Sequence, residues 1–126
     1  MELNKKLSQK RKRELIAEHS EVLHEIYSQF LSDDQMKVAR MLIEEIAFMR
    51  VNLHVLKYDI IKNGATYLMI NGSQEMIVEN PSSKVYNSTI PKYNNLFTTL
   101  NKMLPSDSKE EVEDNSLFEM FVADKL

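Results

Sequence analysis

The chain has 126 residues, with 16 Lys and Arg against 19 Asp and Glu and a formal net charge of −3 at pH 7. That length allows one domain with a modest core plus tails. No cysteine is present, which excludes a disulfide framework and any thiolate nucleophile or metal ligand.

Two Gly and three Pro, none of either before residue 64, are far below average usage and make the first half helical. No apolar run approaches the ~18 residues of a membrane span, and the N-terminus lacks the apolar core of a signal peptide. The expectation is an intracellular protein with no membrane contact. The small net charge hides a polarity: residues 1–13 carry +5 and residues 106–126 carry −5. Oppositely charged ends suggest two different partners, and the basic end suits a polyanion.

In chain order, the first element expected is an amphipathic helix from about Ser8 to Leu31, with Leu15, Val22, Leu23, Ile26 and Phe30 as its apolar positions and His19 on the same stripe. Residues 1–8 are expected to fray. One or two residues then lead into Ser32-Asp33-Asp34-Gln35, a capping box flanked by Leu31 and Met36 at the hydrophobic-staple positions. This opens a helix of about thirty residues that closes at Lys62-Asn63-Gly64, a cation in the last turn followed by a Gly suited to positive φ. The short connection favours a helical hairpin.

Along the long helix, Val38, Leu42, Ile46, Met49, Leu53, Leu56 and Ile60 form a seam at helical spacing, and Met41, Phe48 and Val55 form a second row every seven residues. We expect the seam to hold the chain's own helices and the second row to meet other copies. On spacing alone the two roles are interchangeable. A wide apolar face on so long a helix calls for other copies of the chain to cover part of it.

Past Gly64 the period changes. Ala65–Ile70 and Ser73–Val78 flank Asn71-Gly72, a strong hairpin signal. A two-residue turn there pairs Ile70 with Ser73, Leu68 with Glu75 and Tyr67 with Met76. It sets Tyr67, Met69, Met76 and Val78 near one surface. A lone hairpin is marginal in water, so it is expected to dock on a helix or join a neighbour's strands. Asn80-Pro81 then starts a last helix running to Pro105, with Pro91 inside it; a kinked single helix is preferred to two pieces recapped at Ser88 or Thr89. Residues 106–116 read as an acidic linker. Leu117, Phe118, Phe121 and Val122 beyond it make a short apolar stripe, read either as a docking peptide or as a tail folded onto its own core.

Catalytic patterns are lacking. His19 and His24 are five apart and so miss the i, i+4 spacing of a helical metal pair, and His54 stands alone. Nothing in the sequence brings Glu44 and Glu45 to Glu75 and Glu79. No phosphate-loop, dinucleotide or nucleophile-elbow pattern occurs. The expectation is a protein that is not an enzyme and holds neither metal nor cofactor. The basic run Lys10-Arg11-Lys12-Arg13, with Lys5 and Lys6 before it, is more informative. Cations at a helix N-terminus oppose the macrodipole, and phosphates would offset that cost. The alternative is a solvated helix start.

The order of features from residue 41 to 105 resembles the small terminase subunits of tailed double-stranded DNA phages. The similarity lies in the long helix closing Tyr58-Asp59-Ile60-Ile61-Lys62-Asn63-Gly64, the extended segment around Asn71-Gly72, the Asn80-Pro81 entry, and a helix ending Asn101-Lys102-Met103-Leu104-Pro105. The Gly-Leu-x-Pro ending typical of that last helix appears here without its Gly.

The resemblance implies a mainly α fold, namely a helical hairpin with one very long central helix, a small β-hairpin and a further C-terminal helix, assembled as an oligomeric ring. It implies binding to double-stranded DNA at the packaging site and regulation of a large ATPase–nuclease subunit, in the cytoplasm of an infected bacterial host. On this reading residues 1–31 are a DNA-facing helix that uses Lys5, Lys6, Lys10, Arg11, Lys12 and Arg13. Residues 32–105 are an oligomerisation core with its β-hairpin near 66–78, meeting other copies through Met41, Phe48, Val55, Tyr67 and Met76. Residues 106–126 are a linker and a tail that docks the large subunit through Leu117, Phe118, Phe121 and Val122. The competing reading is an oligomeric helical adaptor that binds only protein.

Overall fold

The computed structural model describes residues 7–106, in the order α1 Gln9–Ser28, α2 Asp33–Asn63, β1 Thr66–Asn71, β2 Gln74–Glu79 and α3 Pro81–Lys102. The ends of α2 follow from local chemistry. The Ser32 hydroxyl accepts from the Gln35 amide at 3.2 Å while the Gln35 side chain accepts from the Ser32 amide at 2.9 Å, so both bonds of the capping box are made. Asp33 and Asp34 occupy the first turn and Lys62 the last. Gly64 has φ +87° with an extended ψ of 162°, and it turns the chain directly into β1 rather than closing a left-handed cap.

Two corrections concern α1. It stops at Ser28, three residues before Leu31, because the Phe30 and Leu31 amides both donate to the Tyr27 carbonyl and draw residues 29–32 into a turn. Leu7 does not fray: it is buried against Leu15 and Val51.

α1 and α3 both pack on α2. The main cluster joins Leu23, Tyr27 and Leu31 with Met36, Ala39, Ile43 and Ile46, and with Leu100 and Leu104, so all three helices share one core at this end. A second cluster, Leu7, Leu15 and Val51 with Ile16 and Val55 beside it, continues the α1–α2 contact. Tyr27 is fully buried, and its hydroxyl donates to the Asn101 side chain, tying α1 to α3. On α3, Tyr93 and Phe97 meet edge to face with centroids 5.1 Å apart, and burial pushes the Tyr93 phenol up to about 12 despite the nearby Arg50.

The core line of α2 differs from the expected seam. Its buried residues are Met36, Ala39, Ile43, Ile46, Ala47, Val51, Leu53 and His54. Of the seam, only Ile46 and Leu53 are buried, and Val38 is exposed. Two helices pack on α2, so the buried arc is set by where their axes approach. Small Ala39 and Ala47 permit that approach, and apolar spacing alone does not reveal it.

α3 is one unbroken helix through Pro91. Ser88 and Thr89 do not recap it. Both hydroxyls donate back to the Val85 carbonyl, at 3.0 and 2.7 Å. Asn80 caps it and latches it to α2: its side-chain oxygen accepts from the Ser82 amide, and its amide nitrogen donates to Asp59 at 3.0 Å and to the Gly64 carbonyl at 2.8 Å. Hydrogen bonds from Ser82, Asn80 and Asn63 hold the Asp59 carboxyl below its ordinary pKa. A depressed carboxylate stabilises the fold above its unfolded pKa of ~3.9, so the latch weakens only as pH falls below about 4. Asn80→Ala removes the cap and the bonds from this buried side chain to the half-buried Asp59 and Gly64. It should lower stability by about 1–2 kcal/mol in denaturant titration, with the midpoint shifted and the slope unchanged.

The hairpin pairs Tyr67 with Val78, Leu68 with Ile77, Met69 with Met76 and Ile70 with Glu75. The turn is therefore Gly72-Ser73, one residue beyond the expected Asn71-Gly72, because Gly72 at φ +66° supplies the positive φ that both tight hairpin turns need at their first central position. Tyr67, Met69, Met76 and Val78 do share one face. Of the two expected arrangements, close docking on the chain's own helices is not seen among the described residues, since every strand residue is exposed except the half-buried Val78; the other needs a second copy.

Candidate nucleic-acid interface

The basic run forms the opening turns of α1. Ser8 caps this helix by accepting from the Arg11 amide at 3.0 Å, and its first turn contains no acidic residue. Arg11 is engaged along its own helix, 3.2 Å from Glu14 and 3.5 Å from Glu18. Lys10 and Arg13 are exposed and Lys12 is half-buried. Lys5 and Lys6 lie outside the described residues.

Antiparallel packing decides what surrounds this run. Arg40 of α2 lies 3.4 Å from His24 of α1, and Val51 packs on Leu15, so the start of α1 sits beside the end of α2. Asn80 fixes the start of α3 at the same end through Asp59 and Gly64. Residues 7–20, 50–64 and 81–92, the helical part of this half, hold nine Lys and Arg against three carboxylates, and the hairpin rooted at the same end adds Glu75 and Glu79. Residues 21–49 and 93–106 hold three against six. The bundle is thus charged end to end, and its basic end combines Lys10, Lys12 and Arg13 with Lys57, Lys62 and Lys84. Spacing within any one segment could not show this. An antiparallel reading of α1 and α2 would have found Lys57 and Lys62.

No family, curated protein or solved structure compared with the chain matches it. Its own residues must carry the functional reading.

Uncovered apolar side chains form the second feature. On α2, Met41 and Phe48 are 69% and 50% exposed, whereas Val55 is partly buried in the α1–α2 contact. On the hairpin, Tyr67, Met69 and Met76 are exposed on one face and Leu68, Ile70 and Ile77 on the other, Ile77 reaching 74%. Sequence reasoning named the first face and missed that the second is equally apolar. The sheet has two strands only, so both outer edges lack a strand partner among the described residues.

Chemistry-bearing groups are dispersed. His19 and His54 are buried within the helical packing. Glu44 and Glu45 lie midway along α2, far from Glu75 and Glu79 on the hairpin, and among the described residues no three His, Asp or Glu are placed to hold a metal ion. No helix among the described residues is long and apolar enough to cross a membrane. Leu117, Phe118, Phe121 and Val122 lie outside the described residues.

Proposed function

We propose that this protein is a non-catalytic small terminase subunit. In this reading it binds double-stranded viral DNA as a homo-oligomeric ring at the packaging site, in the cytoplasm of the infected host, and recruits and regulates the large ATPase–nuclease subunit. The observation that carries the proposal is the basic end of the bundle, where the Lys10–Arg13 run lies at the same end as the close of α2 and the start of α3 and cations outnumber carboxylates. Phosphate contacts dominate DNA affinity, and repeating such an end around a ring multiplies its field. The uncovered apolar groups of α2 and the hairpin, with Met41, Phe48, Tyr67 and Met76 among them, supply the surface between copies.

Titration of the full chain against duplex DNA over a series of salt concentrations tests the proposal. Binding that weakens linearly in log salt is expected. An oligomer that binds no duplex at low salt would leave the protein-only adaptor as the better reading. The tail has a separate expected outcome: deleting Leu117–Leu126 should leave the oligomer intact and abolish stimulation of the large subunit's ATPase. Loss of the oligomer on deletion would assign the tail to the core.

A further inference from the structure

The N-terminal run is one of three sources of positive charge at the basic end. Lys57 and Lys62 come from the last turns of α2, and Lys84 from the first turns of α3, held there by the Asn80 latch. These three differ from Arg11 in how they are engaged. Among the described residues no carboxylate forms an ion pair with them. Lys57 lies over the Tyr86 ring at 6.0 Å, bridging α2 to α3, and Lys62 lies over the Tyr58 ring at 5.8 Å. An aromatic face attracts an ammonium without neutralising it, so the charge remains available to an incoming anion. Hydrogen bonds from Ser82, Asn80 and Asn63 keep the Asp59 carboxyl ionised, and its weaker attraction to Lys62 offsets part of that one charge without an ion pair forming.

We infer that Lys57, Lys62 and Lys84 form a second set of backbone-phosphate contacts, so that duplex DNA seats on the whole end of the bundle and is not held by an N-terminal arm alone. This rests on the DNA-binding reading above and adds to it a footprint drawn from all three helices. Packed helices lie 8–10 Å apart. Cations on neighbouring helix ends are therefore spaced to reach phosphates on the two sides of a major groove about 12 Å wide. Such contacts are blind to sequence. They set register and orientation on the duplex and leave base recognition to other groups. They also make the DNA surface depend on the fold, because Lys84 reaches this end only while α3 is latched to α2.

The test uses the full chain, a short fluorescein-labelled duplex of arbitrary sequence, and anisotropy titrations at several salt concentrations. The Lys57→Gln/Lys62→Gln/Lys84→Gln protein should bind more weakly at every salt concentration. Its log-affinity versus log-salt slope should be shallower by about 0.9 for each phosphate that a bound copy no longer neutralises. The corresponding Lys→Arg protein should keep the wild-type slope. Lys57 also packs on Tyr86, so the Lys62→Gln/Lys84→Gln pair, at two exposed positions, serves as the folded variant if the triple melts early. A wild-type slope in these Gln variants, beside a flattened slope in a Lys10→Ala/Arg13→Ala protein, would overturn the second contact set and leave the DNA-binding reading standing. Absence of any duplex binding by wild type would overturn both.

Discussion

Tyr27→Ala should cost the fold about 3–5 kcal/mol, the range for emptying a large aromatic from a closed core. Tyr27 is fully buried where α1, α2 and α3 meet, beside Leu23, Ala39, Ile43 and Leu100, so none of the three helices can close the space alone. The substitution also removes the hydroxyl that joins α1 to Asn101. Domains of this size are commonly stable by only about 5–15 kcal/mol, so the variant would lose a large share of its margin. Tyr27→Phe separates the two contributions. It keeps the ring and removes one hydrogen bond to a half-buried amide, and should cost about 1 kcal/mol. Chemical denaturation of both proteins checks this. Equal costs would mean that the hydroxyl, and not the packing, joins the helices.

The second large effect concerns DNA. Replacing Lys10, Arg11, Lys12 and Arg13 with Ala should flatten the salt dependence of duplex binding by roughly 0.9 per phosphate contact removed. For a protein making several contacts that amounts to a loss of about a hundredfold or more near physiological salt. The structure distributes the loss unevenly. Arg11 is held by Glu14 and Glu18, so Lys10, Lys12 and Arg13 should account for most of it. Exposed ion pairs are worth only about 0–1 kcal/mol, so the same four substitutions should barely change the melting temperature. Weaker binding with an unaltered slope would place these residues outside the phosphate contact.

How much the sequence revealed depended on whether the controlling interactions were local. The ends of α2 and the cap of α3 were legible because Ser32 with Gln35, and Asn80 with Ser82, make their bonds within three residues. The buried arc of α2 was not. It includes Ala39, Ala47 and His54, which an apolar-stripe reading passes over, and the packing of two separate helices decides it. The hairpin was visible, but its register was displaced because the stretch holds two acceptable glycine turns, and Gly72-Ser73 puts the glycine at the position requiring positive φ. The basic run was visible as a run. Its meeting with Lys57, Lys62 and Lys84 was not, since those residues lie far apart in sequence and only the antiparallel return of α2 and the α3 latch bring them to one end.

On the proposed function, other copies of the chain cover the bare apolar surface of α2 and the hairpin, and so gather the basic ends into one DNA-binding assembly. Size exclusion with in-line light scattering on the full chain measures this directly. The expected result is a particle whose mass is a whole multiple, well above two, of the 14.7 kDa chain and does not change on dilution through the micromolar range. A single 14.7 kDa species at those concentrations would contradict it.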